Sequence, residues 1–314
     1  MRYDTSFCRT LVLVLISAFC SPFVAHAQRY SPWSAPENLG PGINTTFLDG
    51  CPFISKDDRS LFFATNRDYG IGQPTDLWVS LRESRDAAWG EPFSLGADIN
   101  TAGAEEFCPT LTISGRYLYF VSNRPGGCGG NDIYVARRLD KDSFIHWGEP
   151  QNLGCQVNSA ASDITPSLFE DDDGTVYLYF SSNRPGGVGM QDIYVSILGP
   201  DGVFGPAALV PGLNTASNDL RPNIRVRDGL EIFFESNRSG TLGSTDLYVS
   251  TRESTASPWT TPENLGAPVN SAFVEGRASL SFDGTELYFM SNRPGVFGDQ
   301  QDIYVTRRTR LTEP

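Results

Sequence analysis

The apolar positions of this chain come in short bursts of three to five residues separated by turn residues. Leu61-Phe-Phe-Ala64, Tyr117-Leu-Tyr-Phe-Val121, Val176-Tyr-Leu-Tyr-Phe180, Ile232-Phe-Phe234 and Leu287-Tyr-Phe-Met290 are each followed by Ser/Thr-Asn-Arg and a glycine-bearing loop. After each loop comes a second burst: Asp76-Leu-Trp-Val79, Asp132-Ile-Tyr-Val135, Asp192-Ile-Tyr-Val195, Asp246-Leu-Tyr-Val249 and Asp302-Ile-Tyr-Val305. Counted between the loop asparagines, from Asn66 onward, the steps are 57, 60, 54 and 55 residues. A period of that size marks a repeat architecture.

The third unit shows the pieces of one repeat. Asp163-Ile-Thr-Pro-Ser-Leu-Phe169 leads through Asp173-Gly174 into Val176–Phe180, then through Asn-Arg-Pro-Gly-Gly into Asp192–Ile197, and finally to Phe204–Val210. These runs read as strands A, B, C and D, with Asp-Gly as the A–B hairpin signal. Strand B is apolar almost throughout, so both of its faces are covered. Small sheets stacked face to face around an axis meet that requirement, and the predicted fold is an all-β, five-bladed β-propeller of four-stranded antiparallel blades. The D-strand signature runs Trp33 to Gly40, Trp89 to Gly96, Trp147 to Gly154, a divergent Phe204 to Val210, and Trp259 to Gly266. It is out of phase with the A-B-C triplets, because the chain opens on a D strand and closes on a C strand. The N-terminal strand is therefore expected to complete the last blade and close the ring.

The repeated Pro-x-x-Ser-x-Asp-Gly-x-x-Leu-Tyr-Phe-x-Ser-Asn-Arg-Pro-Gly-Gly…Asp-Ile-Tyr-Val pattern resembles the PD40, or WD40-like, repeat of TolB-type propellers. The resemblance spans essentially the whole chain after residue 27 and implies the propeller fold. The N-terminal α/β domain and sixth blade of TolB have no counterpart in it.

Residues 1–27 read as a signal peptide: Arg2 and Arg9, an apolar run from Leu11 to Cys20, and the small-x-small site Ala25-His26-Ala27. Residues 28–314 form the single propeller domain, expected to be monomeric and periplasmic or secreted. The net charge of −13 disfavours nucleic acid and anionic membrane surfaces. No apolar run after the leader is long enough for a transmembrane segment. Cys51, Cys108, Cys128 and Cys155 allow three disulfide connectivities. Cys128 can meet Cys155 within one blade, and Cys51 can face Cys108 across two. With His146 as the only histidine after the leader and no Cys-x-x-Cys pair, no zinc set is present.

Each Asn-Arg loop (Arg67, Arg124, Arg184, Arg238, Arg293), with the Asp opening strand C (Asp76, Asp132, Asp192, Asp246, Asp302), is read as a blade-pinning device, since a feature of every blade serves the fold. Ahead of each strand A stands an asparagine (Asn44, Asn100, Asn158, Asn214, Asn270) and then an acid: Asp49, Glu106, Asp163, Asp219 or Glu275. These acids are expected to ring one mouth of the channel, where a cation such as calcium could neutralise them, or else to accept local backbone hydrogen bonds. Two residues later the blades differ, carrying Cys51, Cys108, Thr165, Arg221 and Arg277, with Glu105 as an additional acid in blade two. Positions that break the repeat are the better guide to binding. The resulting expectation is an exported, non-enzymatic scaffold that binds a protein or envelope component, with no catalytic residues and no cofactor. The alternative is a glycosidase using Asp49, Asp163 and Glu275 at the channel mouth.

Overall fold

A computed structural model describes residues 30–70, 72–298 and 300–311; the leader assigned to residues 1–27 lies outside them. Five four-stranded antiparallel sheets make a five-bladed propeller. Blade one is β2 (Asp49–Ile54), β3 (Ser60–Thr65), β4 (Asp76–Leu81) and β5 (Phe93–Ser94). Blade two is β6 (Glu106–Leu111), β7 (Tyr117–Ser122), β8 (Asp132–Arg137) and β9 (Gln151–Asn152). Blade three is β10 (Asp163–Glu170), β11 (Val176–Ser182), β12 (Asp192–Ile197) and β13 (Ala208–Leu209). Blade four is β14 (Asp219–Ile224), β15 (Glu231–Ser236), β16 (Asp246–Thr251) and β17 (Glu263–Asn264). Blade five joins β18 (Glu275–Leu280), β19 (Glu286–Ser291) and β20 (Asp302–Arg307) to β1 (Glu37–Asn38), whose Glu37 and Asn38 pair with Val305 and Tyr304. The ring is thus closed by the N-terminal strand.

Every residue of β3 and β19 is buried, as their unbroken apolar character requires. The core lies between blades. Phe169 and Tyr179 of blade three pack with Ile224 and Phe234 of blade four. Ile54 and Phe63 of blade one pack with Tyr288 and Ile303 of blade five. Each fully buried Phe contributes about 2–3 kcal/mol. The D-strand aromatics serve the same seams: Trp33 meets Phe233 edge-on at 6.3 Å, Trp89 meets Tyr288 at 6.5 Å, and Phe204 meets Tyr119 at 6.2 Å.

The D strands are shorter than the Trp-to-Gly segments that announce them, with only two residues paired in each. Pro36, Pro92, Pro150 and Pro262 stand immediately before the paired residues and lack the N–H that would extend the ladder. Gly40, Gly96, Gly154 and Gly266 turn the chain away at positive φ just after them.

In every blade the innermost strand carries a β-bulge, between Gly50 and Phe53, Phe107 and Thr110, Ile164 and Ser167, Leu220 and Asn223, and Gly276 and Ser279. The bulged residues Cys51, Cys108, Thr165, Arg221 and Arg277 all take φ between 49° and 55°. For non-glycine residues that is a sparsely populated conformation. Bulges re-aim side chains, and these five are aimed at the axis.

Candidate functional site at the channel mouth

The five acids that precede the bulges are fully buried. Asp49 accepts from Thr45 N at 2.6 Å and Thr45 Oγ1 at 2.7 Å, and pairs with Arg67 Nη2 at 2.8 Å. Glu106 accepts from Thr101 N at 3.0 Å, Ser122 Oγ at 2.7 Å and Arg124 Nη2 at 3.0 Å. Asp163 takes Ser159 N, Ser159 Oγ and Arg184; Asp219 takes Thr215 N, Thr215 Oγ1, Ser236 Oγ and Arg238. Glu275 takes Ser271 N and Oγ, Ser291 Oγ and Arg293. Each arginine also donates to a main-chain carbonyl, those of Ile43, Ile99, Val157, Leu213 and Val269. The guanidinium groups lie against aromatic rings, as Arg124 does at 5.1 Å from both Phe120 and Tyr134.

The loop arginines and the pre-strand acids therefore form one device per blade, with every acid satisfied by hydroxyl, amide and guanidinium donors. The glycosidase alternative placed catalytic duty on Asp49, Asp163 and Glu275; each of these is held in the same kind of device as its counterparts in the other blades, so they do not offer the two different environments that a catalytic pair needs. Among the described residues, no group of three or more His, Cys, Asp and Glu side chains is arranged to hold a metal.

The aspartates that open the C strands do not meet these arginines. Asp132, Asp192 and Asp246 instead accept the main-chain N–H of Cys128, Val188 and Leu242, fastening the B–C loop onto the blade. Asp302 does the same for Phe297 at 3.0 Å, and Asp76 accepts from the Tyr69 hydroxyl at 3.2 Å. Burial raises the carboxyl groups of Asp76 and Asp302, with hydrogen bonds from Tyr69 and from Asn38 pulling the other way. The pre-strand asparagines copy a strand partner: Asn158 receives Ile133 N at 2.8 Å and gives to Ile133 O at 3.0 Å.

Fivefold regularity ends at the bulged ring. Cys51 and Cys108 are joined by a disulfide that links blades one and two, and a second disulfide joins Cys128 to Cys155. Thr165 Oγ1 lies 3.4 Å from Cys108 Sγ. On the other side of the axis stand Arg221 and Arg277, with Glu235 between them. Glu235 comes from β15, where the other blades place Ala64, Val121, Ser181 and Met290 in the equivalent pairing position. Its Oε1 binds Arg221 Nη1, and its Oε2 accepts the main-chain N–H of Arg277 at 3.0 Å. Gly276 makes room for this carboxylate, which occupies the position a Cβ there would take. Glu105, on the rim, is partly exposed and acts electrostatically on Arg277. Its main-chain N–H is held by Asn123 Oδ1 at 2.8 Å.

Arg221, Arg277 and Glu105 stand out in the sequence as departures from the repeat. Glu235 escapes that reading, although a glutamate inside the apolar run Ile232-Phe-Phe-Glu235 is itself a signal. Below the ring the channel narrows to a space of about 20 Å³ bordered by the disulfide, Thr165, Arg277 and four prolines. A larger cavity of about 380 Å³ opens at the opposite, A–B hairpin face, lined mainly by Phe53, Leu111, Phe144, Leu280 and Phe282. It lacks a cluster of convergent carboxylates.

No family model matches the chain, and no curated protein does. Solved structures do resemble it. An α-L-arabinofuranosidase from Lactobacillus brevis superposes with a TM-score of 0.59 at 15% identity, covering 87% of this chain and 93% of that one. A thermostable family-43 glycoside hydrolase gives 0.55 at 17% identity over 88% and 94%. An endo-1,4-beta-xylanase from Bacteroides thetaiotaomicron gives 0.54 at 15% over 86% and 97%. Identities this low establish the shared fold. The expectation of a non-enzymatic binding scaffold is corrected here, since these neighbours, matched over nearly their whole length, are named as glycoside hydrolases and related glycosidases.

Proposed function

We propose that the protein is a carbohydrate-active enzyme, a glycoside hydrolase whose saccharide site is the channel mouth on the loop face. The observation that carries this reading is the cluster of Glu105, Arg221, Glu235 and Arg277, which breaks the fivefold repeat at the axis of a propeller. The structural neighbours act on arabinosides and xylans by their names, and similar pentosidic glycosides are the substrates to try first.

Hydrolysis of a glycosidic bond uses two carboxyl groups, one delivering a proton to the leaving oxygen and one acting as base or nucleophile. A pair of equivalent acids serves badly, because the two roles need different surroundings. Glu235 and Glu105 differ as required. Glu235 is buried in the channel wall and fixed by two nitrogen donors, while Glu105 sits on the rim with part of its side chain in solvent. In this reading Glu235 is the positioned carboxylate and Glu105 the one that exchanges a proton with the leaving group. The two disulfides fit an exported protein, periplasmic or secreted.

The test is release of sugar from arabinoxylan and of nitrophenol from aryl α-L-arabinofuranosides and β-D-xylosides. Turnover by the wild type, with Glu105→Gln lowering it by about 10²–10⁴-fold while circular dichroism is unchanged, is the expected result. Absence of turnover on every glycoside, or full activity in both Glu105→Gln and Glu235→Gln, would overturn the proposal.

A further inference from the structure

At the channel mouth two arginines, Arg221 and Arg277, face two glutamates, Glu105 and Glu235, but the Arg277 side chain pairs with neither among the described residues. Two guanidinium groups share one buried carboxylate. Arg221 takes one oxygen of Glu235 through its side chain, whereas Arg277 reaches the other only through its main-chain N–H. Among the described residues the Arg277 side chain has no ion pair and no hydrogen bond, and the Nε atoms of both arginines are buried without a partner. Most buried donors in native proteins have a partner, and a donor without one favours an added acceptor.

Local sequence holds Arg277 in this position. Its backbone is locked at φ 54°, and Gly50 of blade one, lacking a side chain, lets Arg277 Nη1 lie 3.3 Å from where a Cβ would be. Burial, and after it the neighbouring Arg221, push the guanidinium down to about 9, with Glu235 and Glu105 opposing the shift. It remains a cation at neutral pH. The chain as a whole carries −13, so anions are not gathered by its general field, and an unpaired cation at the axis acts as a selective local site.

We infer that the channel mouth recognises the carboxylate of an acidic sugar, a uronic acid unit, with the free edge of Arg277 as its principal partner; this rests on the carbohydrate reading above. A guanidinium edge matches the two oxygens of a carboxylate. The space of about 20 Å³ beneath the ring, bordered by Arg277, holds about one water, so both the carboxylate and its sugar ring stay in the open mouth.

Calorimetric titration of the mature protein with xylotriose and with the same trisaccharide bearing a glucuronic acid branch tests this. Binding of the acidic ligand about 10-fold or more tighter, weakening as salt rises from 0.15 to 0.5 M, is the expected result. In Arg277→Gln the affinity ratio should fall close to one, and in Arg277→Lys part of it should return. Equal affinities in the wild type, or a ratio that survives Arg277→Gln, overturn the inference. Should Arg277→Gln fail to fold, the wild-type ratio and its salt dependence decide alone. Hydrolysis of neutral glycosides without preference for the acidic ligand would defeat this inference and leave the enzyme reading standing. Acidic preference without any hydrolysis would do the reverse.

Discussion

Asp58 shows how a single buried carboxyl group couples this fold to pH. It sits where the hairpins of blades one and five meet, facing Arg82, Arg85, Asp283 and Glu286. Burial raises it from 3.8 to about 6, helped by Asp283 and Glu286 and opposed by Arg85 and Arg82. The folded state thus holds this proton more tightly than the unfolded chain. Its contribution to stability is complete below about 3.8 and is lost as pH rises through about 6. Asp58→Asn keeps a neutral side chain at every pH. Its stability relative to wild type should therefore improve between pH 4 and pH 7, by about 1 kcal/mol after allowance for solvent screening. Urea unfolding at the two pH values would show it, and a constant difference would refute it. Residue chemistry was only partly legible in the sequence. Loop arginines and pre-strand acids are both visible as repeats, yet that Arg67 pairs with Asp49 rather than with Asp76 is decided by which side chains the folded hairpin brings together.

Among the elements, the innermost strands carry the information that distinguishes one blade from another. Their bulges present Cys51, Cys108, Thr165, Arg221 and Arg277 to the axis at a strained but repeated φ. The Cys51–Cys108 bridge closes a separation of 57 residues and ties blade one to blade two. A loop of that length corresponds to about 4 kcal/mol of lost unfolded-state entropy. The double variant Cys51→Ser/Cys108→Ser should melt well below the wild type, and the variant Cys128→Ser/Cys155→Ser, which opens a separation of 27, should lose less. Thermal unfolding under non-reducing conditions ranks them, and the reverse order would refute the entropic account. The D strands show how far element boundaries can be read. The Trp and Gly landmarks of four of the five are plain, but the actual pairing covers only two residues per blade, with proline immediately before them in those four.

At the scale of the whole molecule, ring closure rests on a small contact. β1 contributes two paired residues, reinforced by Asn38 Nδ2 to Asp302 at 2.7 Å, Trp33 against Phe233, and the Tyr30 hydroxyl bonded to Arg225 at 2.6 Å. Without this segment the edge of β20 would be bare, a template for another chain. A chain beginning after residue 40 should melt at a lower temperature and form higher-order species at concentrations where the full chain does not, as light scattering would report. Unchanged scattering and melting would show that the closure is dispensable.

By itself the sequence determined the number of blades, the strand order within each, the out-of-phase closure and the positions where the blades diverge. Periodic patterns of apolar and turn residues are local quantities, and five copies reinforce one another. Only the tertiary structure decided which partners each carboxylate takes. Asp49, Glu106, Asp163, Asp219 and Glu275 are absorbed by hydroxyl, amide and guanidinium partners, while Glu235 reaches Arg221 from a neighbouring strand and the main chain of Arg277 from a neighbouring blade. Arg277 is left without a side-chain counterpart among the described residues because its surroundings come from blades four, five and one together. Charge balance at an axis is a sum over segments far apart in the chain, and the fold performs that sum.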